Sequence, residues 1–245
     1  MDLQNAWNVA LKDFKTYSRK PSVIYATVAL PLIVGVVFPL IVNYSLHRGV
    51  KELTAAAAPA LMDSFSIWFL VGAAIIPTAI ASYSLVGEKV QKSLEPMLAT
   101  PMTDGDILLG KTLSSLLLPV ASLYAGSISF MALMDYFTHG LLGRYYYPNW
   151  GIGAILLAAP FAALLSVEAN VVISSRMTDV RSAQQSGALL MLPFVGLYLV
   201  SELGFLTLSD TNLVILAGVL AAISVAMFFV AKATFQREEI LTRWR

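Results

Sequence analysis

Apolar residues in this chain run in long stretches separated by short polar clusters. Crossing about 30 Å of hydrocarbon takes roughly 20 helical residues. Six stretches reach that length, at residues 23–44, 65–85, 107–134, 151–175, 188–208 and 213–233. The third is long enough to begin in a headgroup layer or to tilt. Pro31, Pro39, Pro77, Pro119, Pro160 and Pro193 fall inside these runs. Each removes a helical hydrogen bond that a neighbouring helix must replace, which predicts bent spans in an all-α bundle.

Residues 1–20 follow a different pattern. Leu3, Trp7, Ala10, Leu11, Phe14 and Tyr17 recur at helical spacing, while Asn8, Lys12, Lys15 and Arg19 occupy the other face. That pattern predicts a basic amphipathic helix in the inner headgroup layer; the alternative is a helix packed on protein. The mix of charge and apolar residues is unlike a cleaved leader, so this segment is expected to stay with the fold. No internal repeat is visible, and residues 1–245 read as one membrane domain.

Composition agrees with a lipid solvent. Of 245 residues, 58% are hydrophobic and 13% charged, where a soluble domain carries about 25% charge. The net charge of +1 gives no reason to expect nucleic acid, and the lack of cysteine excludes disulfides and thiolate chemistry. His47 and His139 fall near span ends, and no metal or catalytic cluster forms in the sequence. Of the 16 lysines and arginines, only Arg48, Lys51 and Arg144 fall on the side opposite the termini. The positive-inside rule then places both termini in the cytosol of a plasma membrane protein, with residues 46–62 outside. Tyr145, Tyr146, Tyr147 and Trp150 read as an interfacial aromatic belt. Asp63, Asp135, Glu202 and Asp210, near outer span ends, are expected to meet water.

Residues 105–112, "GDILLGKT", satisfy the phosphate-loop pattern. A working loop follows a buried strand and opens a soluble helix. Here two prolines precede it and a membrane run follows, so nucleotide binding by this chain is not expected. Thr103 and Asp106 instead read as a capping box opening the third span, with Asp104 a competing cap, and Lys111 as a lysine snorkelling to the interface.

The stretch "GEKVQKSLEPMLATPMTDGDILLGK", residues 87–111, resembles the signature of type 2 ABC exporter permeases. Glu88 and Lys89 match its acidic-basic start, and Ser93, Leu94 and Glu95 its central triplet. Leu98, Ala99, Thr100 and Pro101 match the next block; Asp106, Ile107, Gly110 and Lys111 match its end. The resemblance extends to the six-span layout, the amphipathic N-terminal helix and the tail at 234–245. It implies that residues 86–106 form a cytosolic coupling loop with a short helix at about 96–100. Glu88, Lys89, Ser93, Leu94, Glu95, Leu98, Thr100 and Pro101 would contact a separate ATP-binding cassette subunit. ATP and magnesium would sit on that partner, with no cofactor on this chain. A second permease chain, identical or related, would complete the path for an exported substrate.

Glu168 lies eight residues before Arg176 in "AALLSVEANVVISS". A carboxylate at that depth is costly and must face protein or water. With Asn170 it lines an inner cavity, or else it makes a satisfied contact to another span or stays a protonated acid; the residues leave these open. An ion-coupled carrier using Glu168 is the alternative function, but it calls for further intramembrane charges or broken-helix pairs in repeated halves, and none is evident.

Overall fold

The computed structural model describes residues 2–48, 51–82, 86, 102–175, 177, 179–203 and 210–234. It is 91% helical, with no strand among the described residues. α1 (Leu3–Tyr17) precedes α2 (Pro21–Leu32), which passes through a π-helical turn at Ile33–Val37 into α3 (Phe38–Arg48). α4 (Lys51–Ser66) and α5 (Trp68–Ser82) follow, then α6 (Asp104–Leu142) and α7 (Trp150–Ser175). α8 (Val180–Ala188), a 3-10 turn at Leu189–Met191 and α9 (Leu192–Glu202) lead to α10 (Asp210–Thr234). Six helical stretches are long and apolar enough to cross a membrane: Pro21–Ser45, Ala57–Ser82, Asp104–Leu142, Trp150–Ser174, Val180–Glu202 and Thr211–Thr234. The chain is a multi-pass membrane protein.

α5 forms the centre of the bundle, contacting α2, α6, α7 and α8, while α10 packs along α7. Phe69 of α5 meets Phe130 of α6 edge-on at 5.5 Å between ring centroids, and Phe130 meets Tyr147 at the same separation. Spans 1 and 6 turn large apolar side chains outward, among them Leu32, Ile33, Ile41, Val219, Ile223 and Phe229. That is the expected surface for a bundle solvated by lipid.

Two prolines show how the bends are tolerated. Pro31 has no N–H to give the Thr27 carbonyl, and Ser122 Oγ of α6 donates to that oxygen at 2.9 Å. Pro160 likewise leaves the Leu156 carbonyl, and Tyr124 Oη of α6 donates to it at 2.9 Å. One helix thus supplies the missing bonds of spans 1 and 4.

Three boundaries differ from the hydropathy pattern. Residues 51–64 are helical where no element is predicted; the Ala55–Ala58 run has high helix propensity. Span 5 begins at Val180, eight residues early, because Asp179 caps it by accepting the Ser182 N–H at 3.0 Å. α6 has 39 residues, about 58 Å at 1.5 Å per residue and nearly twice the hydrocarbon thickness. The first turns of that overhang carry the contact with α1.

Candidate functional site

Residues 105–112 form no loop. They are the first turns of α6, opened by the expected capping box: Thr103 Oγ1 accepts the Asp106 N–H at 3.2 Å, and Asp106 Oδ2 accepts the Thr103 N–H at 3.0 Å. Thr103, not Asp104, is the cap. Lys111 does not snorkel. Its side chain is 1% exposed, and its Nζ lies 3.5 Å from Asp13 Oδ2, itself on a side chain 5% exposed. A helical backbone and a buried, paired lysine cannot cradle a phosphate chain.

α1 supplies that aspartate. Its inward face is Ala6, Val9, Ala10, Asp13 and Tyr17, packed on the start of α6. Gly110 permits the approach: a Cβ there would stand 2.6 Å from the Ala6 carbonyl oxygen and 2.7 Å from Val9 Cβ. At the head of α1 the Asp2 N–H donates to Asp106 Oδ1 at 2.8 Å. Asp106 therefore closes the capping box of α6 and anchors α1 with one carboxylate. The amphipathic pattern proves to be split. Ala10 and Tyr17 turn inward with Asp13, while Leu3, Trp7, Leu11 and Phe14 remain 38–75% exposed. Close helix contact favours the small residues, so the bulky ones are left facing out.

Glu88, Lys89, Ser93, Leu94, Glu95, Leu98, Thr100 and Pro101 lie outside the described residues. Their flanks are described: the central helix α5 ends at Ser82, and α6 opens at Asp104.

Glu168 and Asn170 both sit on α7, two residues and therefore about 200° apart, and the structure does not bring them into one site. Asn170 Nδ2 donates to the Thr78 carbonyl at 2.8 Å and to Ser82 Oγ at 3.0 Å, both on α5. It also packs against Gly187 of α8, where a Cβ would meet Nδ2 at 2.6 Å. Asn170 thus pins spans 2, 4 and 5 together. Glu168 is fully buried, and neither carboxyl oxygen has a hydrogen-bond partner among the described residues.

The opposite end holds an arrangement that the aromatic pattern did not reveal. Tyr147 is buried and donates to the Met62 carbonyl at 2.9 Å, while Asp135 accepts the Tyr146 and Tyr147 N–H groups at 2.9 and 3.1 Å. Tyr146 Oη donates to Asp63 Oδ2 at 2.6 Å, and Asn149 Nδ2 to Asp63 Oδ1 at 3.2 Å. Burial, and then the Asp63 carboxylate, push the Tyr146 phenol well above its ordinary range. Asp63, Tyr146, Trp150 and Glu202 border a cavity of about 540 Å³. Of the four, Tyr145, whose ring lies 4.6 Å from that of His139, and Trp150 keep the exposure of belt residues, 72% and 79%. Among the described residues no group of His, Asp or Glu is placed to hold a metal.

None of the curated proteins compared with the chain matches it. The model of the family described as "ABC-2 family transporter protein" matches residues 7–239, which run from within α1 through α10 and include the whole signature stretch. With six spans and that match, this chain belongs to the ABC-2 transporter family and is a membrane transport permease of a family that works with ABC ATP-binding partners.

Proposed function

We propose that this permease is the membrane half of an ATP-driven exporter, with its energy delivered by contact from a separate ATP-binding subunit. The observation that carries the reading is the position of the signature stretch. It joins α5, the central helix, to α6, the longest helix and the one that clamps α1. Displacement applied there reaches three elements at once. Glu88, Lys89 and Glu95 can make charge-assisted bonds that hold such a joint under load. Ser93, Leu94, Leu98, Thr100 and Pro101 would add contacts to that partner, in and around the short helix expected at about 96–100. ATP and magnesium stay on the partner, and both termini and this loop face the cytosol of the plasma membrane. Six spans form half of the usual path, so two permease chains enclose it.

The test is purification of the full chain, carrying two distinguishable tags, from its native membranes. One tag should retrieve the other, together with an ATP-binding subunit and ATP turnover. The chain stripped of its partner should have none. Robust turnover by the stripped chain would overturn the reading.

A further inference from the structure

Around its axis α1 has three sectors. Ala6, Val9, Ala10, Asp13 and Tyr17 are buried. Beside them Leu3, Phe14, Trp7 and Leu11 form a bulky apolar stripe that stays 38–75% exposed. Beyond the stripe lie Asn8, Lys12 and Lys15, with Arg19 in the turn that follows the helix, all exposed. The helix's interior acid, Asp13, is turned inward onto Lys111. The exposed basic residues are therefore gathered beside the C-terminal half of the apolar stripe, next to the entry into span 1.

Two features select the occupant of this face. α1 ends at Tyr17, and α2, the start of span 1, opens at Pro21. Three linking residues reach about 10 Å at most, so α1 is held at the surface where the chain enters the bilayer. A Trp, Leu and Phe stripe beside Lys and Arg also complements acyl chains beneath anionic headgroups.

We infer that α1 is an anionic-lipid contact surface, and that its clamp on α6 makes the assembled transporter's ATP turnover depend on anionic lipid. The clamp acts at three levels: Asp2 to Asp106, Ala6 and Val9 over Gly110, and Asp13 to Lys111. These contacts fall on the first turns of α6, where the signature stretch ends. Lipid that seats α1 therefore steadies the end of α6 on which the partner's stroke arrives. The turnover half of this inference rests on the proposed function; the lipid contact does not.

The experiment uses the permease with its ATP-binding subunit in nanodiscs of phosphatidylcholine with increasing phosphatidylglycerol. Trp7 is made the sole tryptophan by Trp68→Phe, Trp150→Phe and Trp244→Phe. Brominated acyl chains should quench Trp7, and turnover should rise with the phosphatidylglycerol fraction. One basic residue near an anionic surface is worth roughly five-fold in affinity. Lys15→Gln with Arg19→Gln should therefore raise the fraction needed for half-maximal turnover several-fold. Asp13→Asn should leave Trp7 quenched while flattening the lipid response. An unquenched Trp7, or quenching lost when the partner subunit is added, would overturn the contact and assign the face to protein. An unchanged lipid response in the double variant would overturn the anionic preference. Quenching with no turnover in any lipid would remove the coupling half, and the proposed function with it, while leaving the lipid contact standing.

Discussion

Lys111 Nζ lies 3.5 Å from Asp13 Oδ2, and the two side chains are 1% and 5% exposed. The pair joins α1 to the first turns of α6. Burying two charges together leaves little net gain, but stranding one of them is costly, by about 3–5 kcal/mol. Lys111→Ala should therefore destabilise the permease strongly. The apolar replacement Asp13→Leu with Lys111→Met should recover most of that loss. Thermal unfolding in detergent of Asp13→Leu, Lys111→Met and their double gives the coupling energy. Additive losses would mean that the pair is not a unit.

The helix crossing at Gly110 gives a second contrast. A methyl group there meets backbone, the Ala6 carbonyl oxygen at 2.6 Å, which cannot swing aside. Overpacking of this kind costs about 1–3 kcal/mol. Gly140, on the same helix, has nothing within 4 Å of a Cβ, so Gly140→Ala should gain up to about 1 kcal/mol from helix propensity. Opposite shifts in melting temperature are expected, with protease release of α1 in Gly110→Ala only.

The proline-freed carbonyls predict a context-dependent effect. Ser122→Ala leaves the Thr27 oxygen without its donor from α6, and hydrogen bonds between membrane helices average about 0.6 kcal/mol. In a Pro31→Ala background residue 31 can donate to Thr27 itself, so the same change should cost close to nothing. Unfolding of the four proteins measures the difference. An equal cost in both backgrounds would mean that the serine is not replacing the missing bond.

The six spans were legible because a run of about 20 apolar residues has few other uses. Their ends were not always so. Hydropathy treats the turns around Arg181, Gln184 and Gln185 as loop, although they are helical; only Asp179, as a cap, signals the true start. The Thr103–Asp106 box was readable because its spacing is local. Lys111 was misread because its partner, Asp13, is remote in sequence and brought near only by α1. The amphipathic pattern located α1, but bulky side chains dominate such patterns while close packing selects small ones. Hence Ala6, Val9 and Asp13 were missed as the contact. Asn170 was singled out only as a neighbour of Glu168, because its bonds to Thr78 and Ser82 depend on the fold of α5.

Orientation is testable because the chain has no cysteine. Ser45 is exposed near the end of span 1, and Ser93 lies in the signature stretch. In intact cells a membrane-impermeant maleimide should label Ser45→Cys but not Ser93→Cys, and permeabilisation should expose the latter. Labelling of Ser93→Cys from outside would invert the proposed topology.

Coupling and stability should separate at the carboxylates around the start of α6. Asp106 holds the Thr103 and Asp2 N–H groups, so Asp106→Ala should loosen α1 and lower the melting temperature even without the partner. Glu88 and Glu95 are proposed to act only across the joint with the ATP-binding subunit. Exposed side chains that meet only the partner contribute little to the stability of the permease alone, usually within about 0.5 kcal/mol. Glu95→Ala and Glu88→Ala should therefore insert and melt like the parent chain, yet bind the partner more weakly or lose substrate-stimulated turnover. Melting temperature, partner affinity and turnover measured together for the three variants distinguish the roles. Parental values for Glu88→Ala and Glu95→Ala in all three would show that the stretch is not the coupling element.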